Sequence, residues 1–487
     1  MAAKFSVGEI VKATGGAPAG SASVDSGSAI TGISTDTRTV RDGEGFFALT
    51  GENHDAHDHL GDAADKGAAL LVISDAAKAP EGFKGAVIVV PDTLRAYQDL
   101  AAYRRKCLDP FVIAVTGSLG KTTLKDMLAC ILSKHARVYS TQGNLNNQIG
   151  LPRTILDAGD DTEILVLEMG MAYAGEIERL AEIAAPDVAV ITNIGLSHRE
   201  NFDSDDGILK AKYEITTFLG PGGTLVIDAG SNADLVKLAA NGSRDKGFGL
   251  LRVAQEGSAA AKTADYVVTT ARVSGDDAGT TLCDIWQRKE NISAPFAIPI
   301  AGAYVGLSAA LASAVCAEAG VTLKDSAEAL GSLERTKHRL DPIRAGGVLV
   351  IDDTYNANPD SAKSGLEYLK SVPAKRRIAV LANMNELGDN SEALHREVGA
   401  AAARLDIDRL YTYGDKAQKI ADGAGAENGG RGVTEVFHFE EDGKEALIDR
   451  LRLDVMEGDV VYVKGSRTMK MEEVVRALIE EAGDGDV

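Results

Sequence analysis

The sequence predicts an α/β protein of three domains: a small N-terminal α/β domain over residues 1–108, a central domain with a mostly parallel sheet over 109–333, and a doubly wound C-terminal domain over 334–487. Three observations predict it. At 487 residues the chain is too long for one hydrophobic core, and its length suggests about three. From Phe111 onward, short continuous apolar runs alternate with helical patterns, as in parallel sheets covered on both faces. Asp109-Pro110 closes the first region, because the residue before a proline is pushed out of the helical conformation.

The elements follow in order. Residues 7–13 have helical periodicity, and a Gly/Ala/Ser-rich loop runs from there to about residue 29. Strands and turns are expected over 30–49, a helix over 60–67, strands over 70–74 and 86–90, and a helix over 95–106. In the central region the 111–115 strand leads into a helix over 122–134, whose Leu124, Met127, Leu128, Ile131 and Leu132 share one face. Residues 164–167 and 188–191 read as buried strands, and 309–319 as an Ala-rich helix with Gly320 as its C-cap glycine. In the third region strands are expected at 348–351, 378–381, 409–413, 433–437 and 460–463, with 423–432 as a flexible surface loop.

Composition excludes several functions. The chain is 45% hydrophobic and 25% charged, as soluble globular proteins are. Against 51 basic residues stand 72 acidic ones, and the net charge of −21 disfavours nucleic acid and anionic membrane as partners. Aromatic residues make up only 5%, too few for base-stacking platforms. A phosphate ligand must therefore be held by a local site. Cys107, Cys130, Cys283 and Cys316 lie far apart, without a C-x-x-C pair or neighbouring histidines, so reduced and mostly buried thiols are expected. The first residues lack the apolar stretch of a signal peptide and no run reaches membrane-spanning length, which predicts a cytoplasmic protein.

The strongest local signal is Val115-Thr116-Gly117-Ser118-Leu119-Gly120-Lys121-Thr122-Thr123, between a buried strand and an amphipathic helix. Gly117 and Gly120 let backbone N–H groups, including those of Ser118 and Thr123, approach an anion, and the helix N-terminus adds its positive dipole. Lys121 is placed for terminal phosphates and the Thr122 hydroxyl for magnesium, so a nucleoside triphosphate is the expected ligand. Val115 stands where the common form of this loop has its first glycine.

Ligands of open α/β sheets bind beyond the carboxyl ends of the strands. Glu168 follows the 164–167 run, and Asn193 and His198 follow 188–191; with Thr122, Glu168 and His198 form a candidate magnesium set. Asn144, Asn146 and Asn147 suit either an Asn-rich turn or the holding of a polar ligand. Lys210 and Lys212 have the ordinary pattern of a solvated helix face.

Taken together these segments resemble the Mur ligase family over nearly the whole chain. The phosphate loop is similar to that family's shortened version, and Leu167-Glu168-Met169-Gly170 and Thr192-Asn193-Ile194-Gly195-Leu196-Ser197-His198 also match. Asp352-Asp353-Thr354-Tyr355-Asn356-Ala357-Asn358-Pro359 resembles the branch that adds D-alanyl-D-alanine to a UDP-linked muramoyl tripeptide in peptidoglycan synthesis. Asn385-Glu386-Leu387-Gly388 followed by His395, and Val463-Lys464-Gly465-Ser466-Arg467, are similar to its C-terminal domain.

The resemblance implies an ATP-dependent amide ligase that works through an acyl phosphate, with about two Mg2+ ions, acting as a monomer. It implies that Lys121 and Thr122 handle phosphates and magnesium, that Glu168 and His198 hold a second ion, and that Lys212 is carbamylated into a metal-bridging anion. Arg339 and Asp353 would reach ATP from the third domain, with Tyr355 and Asn356 lining the nucleotide pocket. Ser34, Asp36, Arg38 and His57 would hold the UDP-linked substrate, with Asn146, Asn147 and Asn358 as further substrate contacts and Lys464 and Ser466 facing the acceptor. Residues 302–308 and 381–384, the His338-Arg339 pair and Asp55-Ala56-His57 depart from the family pattern. The second expectation is therefore a Mur-like ligase acting on another carboxylate–amine pair outside the cell wall. A nucleotide-binding switch, the third, has no need of Glu168, Lys212 and a second α/β domain carrying Asp353.

Overall fold

Three large β-sheets, and a two-stranded pairing of Phe5–Ser6 with Ala29–Ile30, organise the described residues. The computed structural model describes residues 5–19, 26–51, 54–195, 202, 204–274, 278–302, 304–335, 337–385, 387–427 and 435–483. The first sheet has the order Ala17–Pro18, Ala86–Val89, Leu70–Ile73, Gly45–Phe47, Ile33–Ser34, parallel except for its first strand. One face buries Phe46, Leu60 and Leu71. The other face carries Phe47, Leu70 and Ile88, which join Tyr97 and Leu100 of the Thr93–Leu108 helix and Leu151, Leu180 and Val112 of the central domain in one continuous core. The helix thus couples the two domains, and it stops at Asp109, whose left-handed φ of 46° returns its N–H to Arg105.

The central sheet has nine strands. Seven run parallel in the order Val138–Ser140, Ile164–Glu168, Phe111–Thr116, Val188–Ile191, Thr224–Asp228, Gly249–Gln255, Tyr266–Val273. Thr281–Gln287 and Ile292–Ile298 then extend it antiparallel. Ile292–Ile298 is an edge strand with alternating burial, the pattern of a sheet that is half solvated. The chain leaves Phe111–Thr116 for strands on one side and then crosses to Val188–Ile191 on the other, so the phosphate loop sits at the topological switch point. The Ala-rich helix begins at Tyr304 rather than 309, and Gly320 has the expected left-handed φ of 82°.

The third sheet has the order Asp341–Ala345, Val348–Asp353, Asp459–Lys464, Arg376–Ala382, Arg409–Tyr413, Glu435–Phe439, with only its first strand antiparallel. Pro359–Ser371, Ser391–Arg404 and Gln418–Glu427 cover one face, and Lys444–Asp454 and Glu472–Gly483 the other, which is a doubly wound layer. One expectation is corrected. Gly423 is not in a surface loop but inside the Gln418–Glu427 helix, packed on Ser391–Arg404. A Cβ on Gly399 would strike the Ile420 carbonyl and one on Gly423 the Arg396 carbonyl, so both glycines serve a close helix crossing. Residues 428–432 of that expected loop lie outside the described residues.

Candidate active site

The phosphate loop is shaped by two glycines. Gly117 has φ 148°, and a Cβ there would run into the Thr192 hydroxyl; Gly120 has φ 78° and precedes the first residue of the Lys121–Leu132 helix. The Ser118 and Leu119 N–H groups both donate to Asn193 Oδ1, at 3.1 and 2.9 Å, so the next strand end holds the loop's curvature. Lys121 Nζ folds back to the Gly117 carbonyl at 2.8 Å, which keeps its ammonium at the mouth of the loop. Burial pushes the Lys121 ammonium below its usual range, against the opposing pull of Glu168.

Glu168 ends its strand almost fully buried. Its Oε2 accepts from Thr122 Oγ1 at 2.9 Å and its Oε1 from Asn146 Nδ2 at 2.7 Å. Lys212 is 2% exposed, while Lys210 on the same helix pairs with Asp206 in solvent at 2.6 Å. Burial first, and then the neighbouring Lys121 charge, depress the Lys212 ammonium well below its usual value, which favours the neutral amine there. The solvated-face expectation thus holds for Lys210 and fails for Lys212. The helix turns by about 200° over two residues, and that places the pair on opposite faces.

A cleft of about 710 Å³ opens over this loop, and its far wall comes from the third domain. Arg339 Nη2 lies 3.5 Å from Thr122 Oγ1, and its guanidinium stacks over Tyr355 at 4.2 Å. Asp353 accepts from Lys464 Nζ at 2.6 Å, Tyr462 Oη at 2.9 Å and the Leu340 N–H at 3.3 Å. A nucleoside triphosphate held by the loop would thus meet cations from both domains, with Asp353 and Lys464 forming a buried, fixed pair beside them.

The comparisons with known proteins agree along the chain. Profiles described as Mur ligase family, catalytic domain, Mur ligase middle domain, and Mur ligase, glutamate ligase domain match residues 29–105, 115–317 and 338–467. The chain is 37% identical over 460 residues to the UDP-N-acetylmuramoyl-tripeptide--D-alanyl-D-alanine ligase of Bacillus subtilis, covering 93% of each protein. It belongs to the Mur ligase family. The Escherichia coli enzyme of the same name is 35% identical, with 92% of this chain and 93% of that protein covered. Among solved structures, MurF from Acinetobacter baumannii superposes with a TM-score of 0.85 at 29% identity, covering 98% and 99% of the two chains. MurF from Thermotoga maritima in complex with ADP matches with a TM-score of 0.80 at 28% identity, covering 93% and 97%.

In this Mur ligase the expected residues divide into three groups. Gly117, Ser118, Gly120, Lys121, Thr122, Glu168, Asn146, Arg339, Asp353, Tyr355 and Lys464 converge on the cleft or shape its loop, and Asn144, Thr123 and Asn356 line it. A second group is turned to structural work. Asn147 Oδ1 accepts from the Ile149 and Gly150 N–H groups at 3.1 and 2.9 Å, which is the turn-forming alternative. Asn358 reaches the cleft wall yet caps the Pro359–Ser371 helix through a capping box with Ser361. Ser466 is buried, with its hydroxyl accepting the Asn385 N–H at 2.8 Å.

The third group lies in the first domain. His57 is buried, its Nδ1 held by Asp55 at 2.6 Å and its Nε2 by the Ser74 N–H at 3.0 Å. Asp36 accepts from Arg38 Nη2 at 2.7 Å and from the Arg38 N–H, which draws its carboxyl down to about 2. Ser34 closes that turn with a hydroxyl bond to the Asp36 carbonyl at 3.1 Å. Arg38 is exposed. His198 lies outside the described residues.

Sequence reading missed Asp228, Gln255 and Tyr304, which also line the cleft. The first two end strands that carry no motif; their position after apolar runs was the available signal. No described helix is long and apolar enough to cross a membrane. Among the described residues no three His, Cys, Asp or Glu side chains gather into a metal cage. The Thr122–Glu168 pair still offers hard oxygen donors beside a phosphate loop, and magnesium is commonly held by one or two carboxylates plus substrate phosphates. The donor set fits that ion.

Proposed function

We propose that this chain joins D-alanyl-D-alanine to the free carboxyl of a UDP-linked muramoyl tripeptide at the expense of ATP, a step of peptidoglycan synthesis. The observation that carries the reading is the cleft, in which Lys121, Thr122 and Glu168 of one domain face Arg339, Asp353 and Lys464 of the next, in a chain collinear with ligases of that name. An oxygen of the donor carboxylate attacks the γ-phosphorus, the bond to the β–γ bridging oxygen breaks, and ADP leaves from an acyl phosphate. Lys121 and Arg339 offset the charge that builds on the phosphoryl oxygens. The neutral amine of D-alanyl-D-alanine then attacks the acyl carbon, inorganic phosphate departs with the bonding electrons, and the amine loses a proton.

Thr122 and Glu168 are the residues that would hold magnesium, with His198 as a third candidate, and the ion supplies further neutralisation of phosphate charge when bound. The family resemblance marks Lys212 for carbamylation, and its burial supports that reading, since a neutral amine is the form that reacts with carbon dioxide. The N-terminal domain, continuous in core with the central one, would present the UDP-linked substrate from the Glu168 side. Of the altered 302–308 segment, Tyr304, Leu307 and Ser308 line the same cleft as the phosphate loop. Phosphate release that requires both UDP-muramoyl-tripeptide and D-alanyl-D-alanine, with a product heavier by one dipeptide, is the expected result. Absence of stimulation by that pair, with ATP still bound, refutes the assignment.

A further inference from the structure

The chain enters its third domain through a turn in which two residues other than glycine have left-handed backbone. His338 has φ 64° and Leu340 φ 47°, and Arg339 stands between them. L side chains rarely adopt that region, because the Cβ crowds the following carbonyl oxygen, and a turn keeps it only where surrounding contacts over-determine it. Those contacts come from the end of the Val348–Asp353 strand and the residues just after it. The Tyr355 N–H donates to the His338 carbonyl at 3.0 Å, and the Leu340 N–H to Asp353 Oδ1 at 3.3 Å. The His338 ring makes a third tie, with Nδ1 2.7 Å from Asp352 Oδ2.

The sense of that third bond is fixed. An ionised carboxylate only accepts, so Nδ1 of His338 carries the hydrogen. Asp352 is buried, and its Oδ1 already receives the Thr354 hydroxyl at 2.7 Å and the Thr354 N–H at 3.1 Å. The acceptor is therefore held in place, and the half-buried imidazole is anchored on it.

What the turn carries is Arg339. Its guanidinium lies 4.2 Å over the Tyr355 ring, with Nη2 3.5 Å from Thr122 Oγ1. Tyr355 thus supports the guanidinium with its ring and the turn with its N–H, so strand end, turn and cation move as one unit. A displacement of about 1 Å there would reach the phosphate oxygens, where a misplacement of that size costs about 100-fold in rate.

We propose that His338 is a positioning residue for phosphoryl transfer: by donating to Asp352 it fixes the left-handed turn that delivers Arg339 to the phosphate loop. The inference rests on the reading of the cleft as the ATP site of a ligase, and adds to it a residue that acts through Arg339 rather than on a substrate.

The test is steady-state phosphate release by the full chain with ATP, magnesium, UDP-muramoyl-tripeptide and D-alanyl-D-alanine. His338→Gly suits the left-handed backbone but removes the donor. His338→Asn tolerates the same backbone, and its Nδ2, bonded to Cγ as the imidazole Nδ1 is, can donate to Asp352. In His338→Gly, kcat should fall about 10- to 100-fold, with the KM values for the tripeptide and the dipeptide changed by less than about twofold. His338→Asn should keep kcat within about threefold of the unmodified protein. Arg339→Ala should lower kcat by about 100-fold, and adding His338→Gly to it should lower it no further, since the histidine acts through that arginine. A His338→Gly variant with kcat within about twofold of the unmodified protein overturns the proposal, as does a double variant in which the two losses multiply. Equal losses in His338→Asn and His338→Gly also overturn it, because the donor to Asp352 would then not be what matters. Absence of substrate-dependent release from the unmodified protein would instead overturn the ligase reading, and this inference with it.

Discussion

Lys464 and Asp353 make the pair on which the far wall of the cleft depends. Their side chains are 4% and 11% exposed, 2.6 Å apart, at the ends of adjacent parallel strands. Lys464→Met removes the cation and leaves a carboxylate with only the Tyr462 hydroxyl and the more distant Leu340 N–H. Breaking a buried pair from one side costs about 3–5 kcal/mol, because the remaining charge keeps its desolvation penalty without its partner. At about 1.4 kcal/mol per tenfold change, that is a loss of roughly 100-fold or more in protection. Hydrogen exchange suits the question better than a single melting temperature, since a chain of three domains need not unfold in one step.

The amides of Val348–Asp353 and Asp459–Lys464 should lose that protection in Lys464→Met, while those of Leu70–Ile73 in the first domain keep theirs. Adding Asp353→Asn should recover most of the loss, since the stranded charge is then gone. Protection within tenfold of the unmodified protein in the single variant, or no recovery in the double, would refute the argument that this pair is buried and mutually dependent.

Other expectations follow from the same geometry. Glu168→Gln, which removes the charge that receives Thr122 and Asn146, should lower substrate-dependent phosphate release by about 100- to 1000-fold, with nucleotide binding measured alongside. Gly117→Ala, forced to φ 148° with its methyl against Thr192, should abolish nucleotide binding while the first domain's amide protection stays intact. His57→Ala should destabilise the N-terminal domain by about 1–3 kcal/mol through the stranded Ser74 N–H, read by denaturant unfolding.

Asp228→Asn should also change the pH dependence of stability. The Asp228 carboxyl is raised from 3.8 to about 6, so the folded protein holds its proton longer than the unfolded chain. That contribution is complete below about 3.8 and disappears as pH rises through about 6. The asparagine variant should therefore gain up to roughly 3 kcal/mol over the unmodified protein above pH 6, and the gain should vanish in acid. Parallel stability curves across that range would contradict the burial assigned to this side chain.

By itself the sequence determined the α/β class, the three regions and the nucleotide loop, because each leaves a local trace. Apolar runs bounded by turns mark buried strands whatever they pair with, and Gly117, Gly120 and Lys121 constrain the backbone within a few residues of one another. Glu168 and Asp353 were legible for the same reason, as acids directly after such runs. Only the tertiary structure decided what depends on partners distant in sequence. Lys212 and Lys210 look alike along the chain, and packing buries one while solvent takes the other.

Gly423 reads as a loop residue until the Ser391–Arg404 helix is seen to cross it, and its missing side chain becomes a packing requirement. His57 and Ser466 carry polar groups that a motif assigns to ligands, and the fold spends those groups on Asp55, Ser74 and Asn385. Asp228 and Gln255 have no motif around them; what brings them to one wall is a cleft assembled from three strand ends and a helix that begins nearly fifty residues after Gln255. Local patterns fix conformation, whereas burial and hydrogen-bond partnership belong to the assembled chain, and the chemistry of a polar side chain is set by those two.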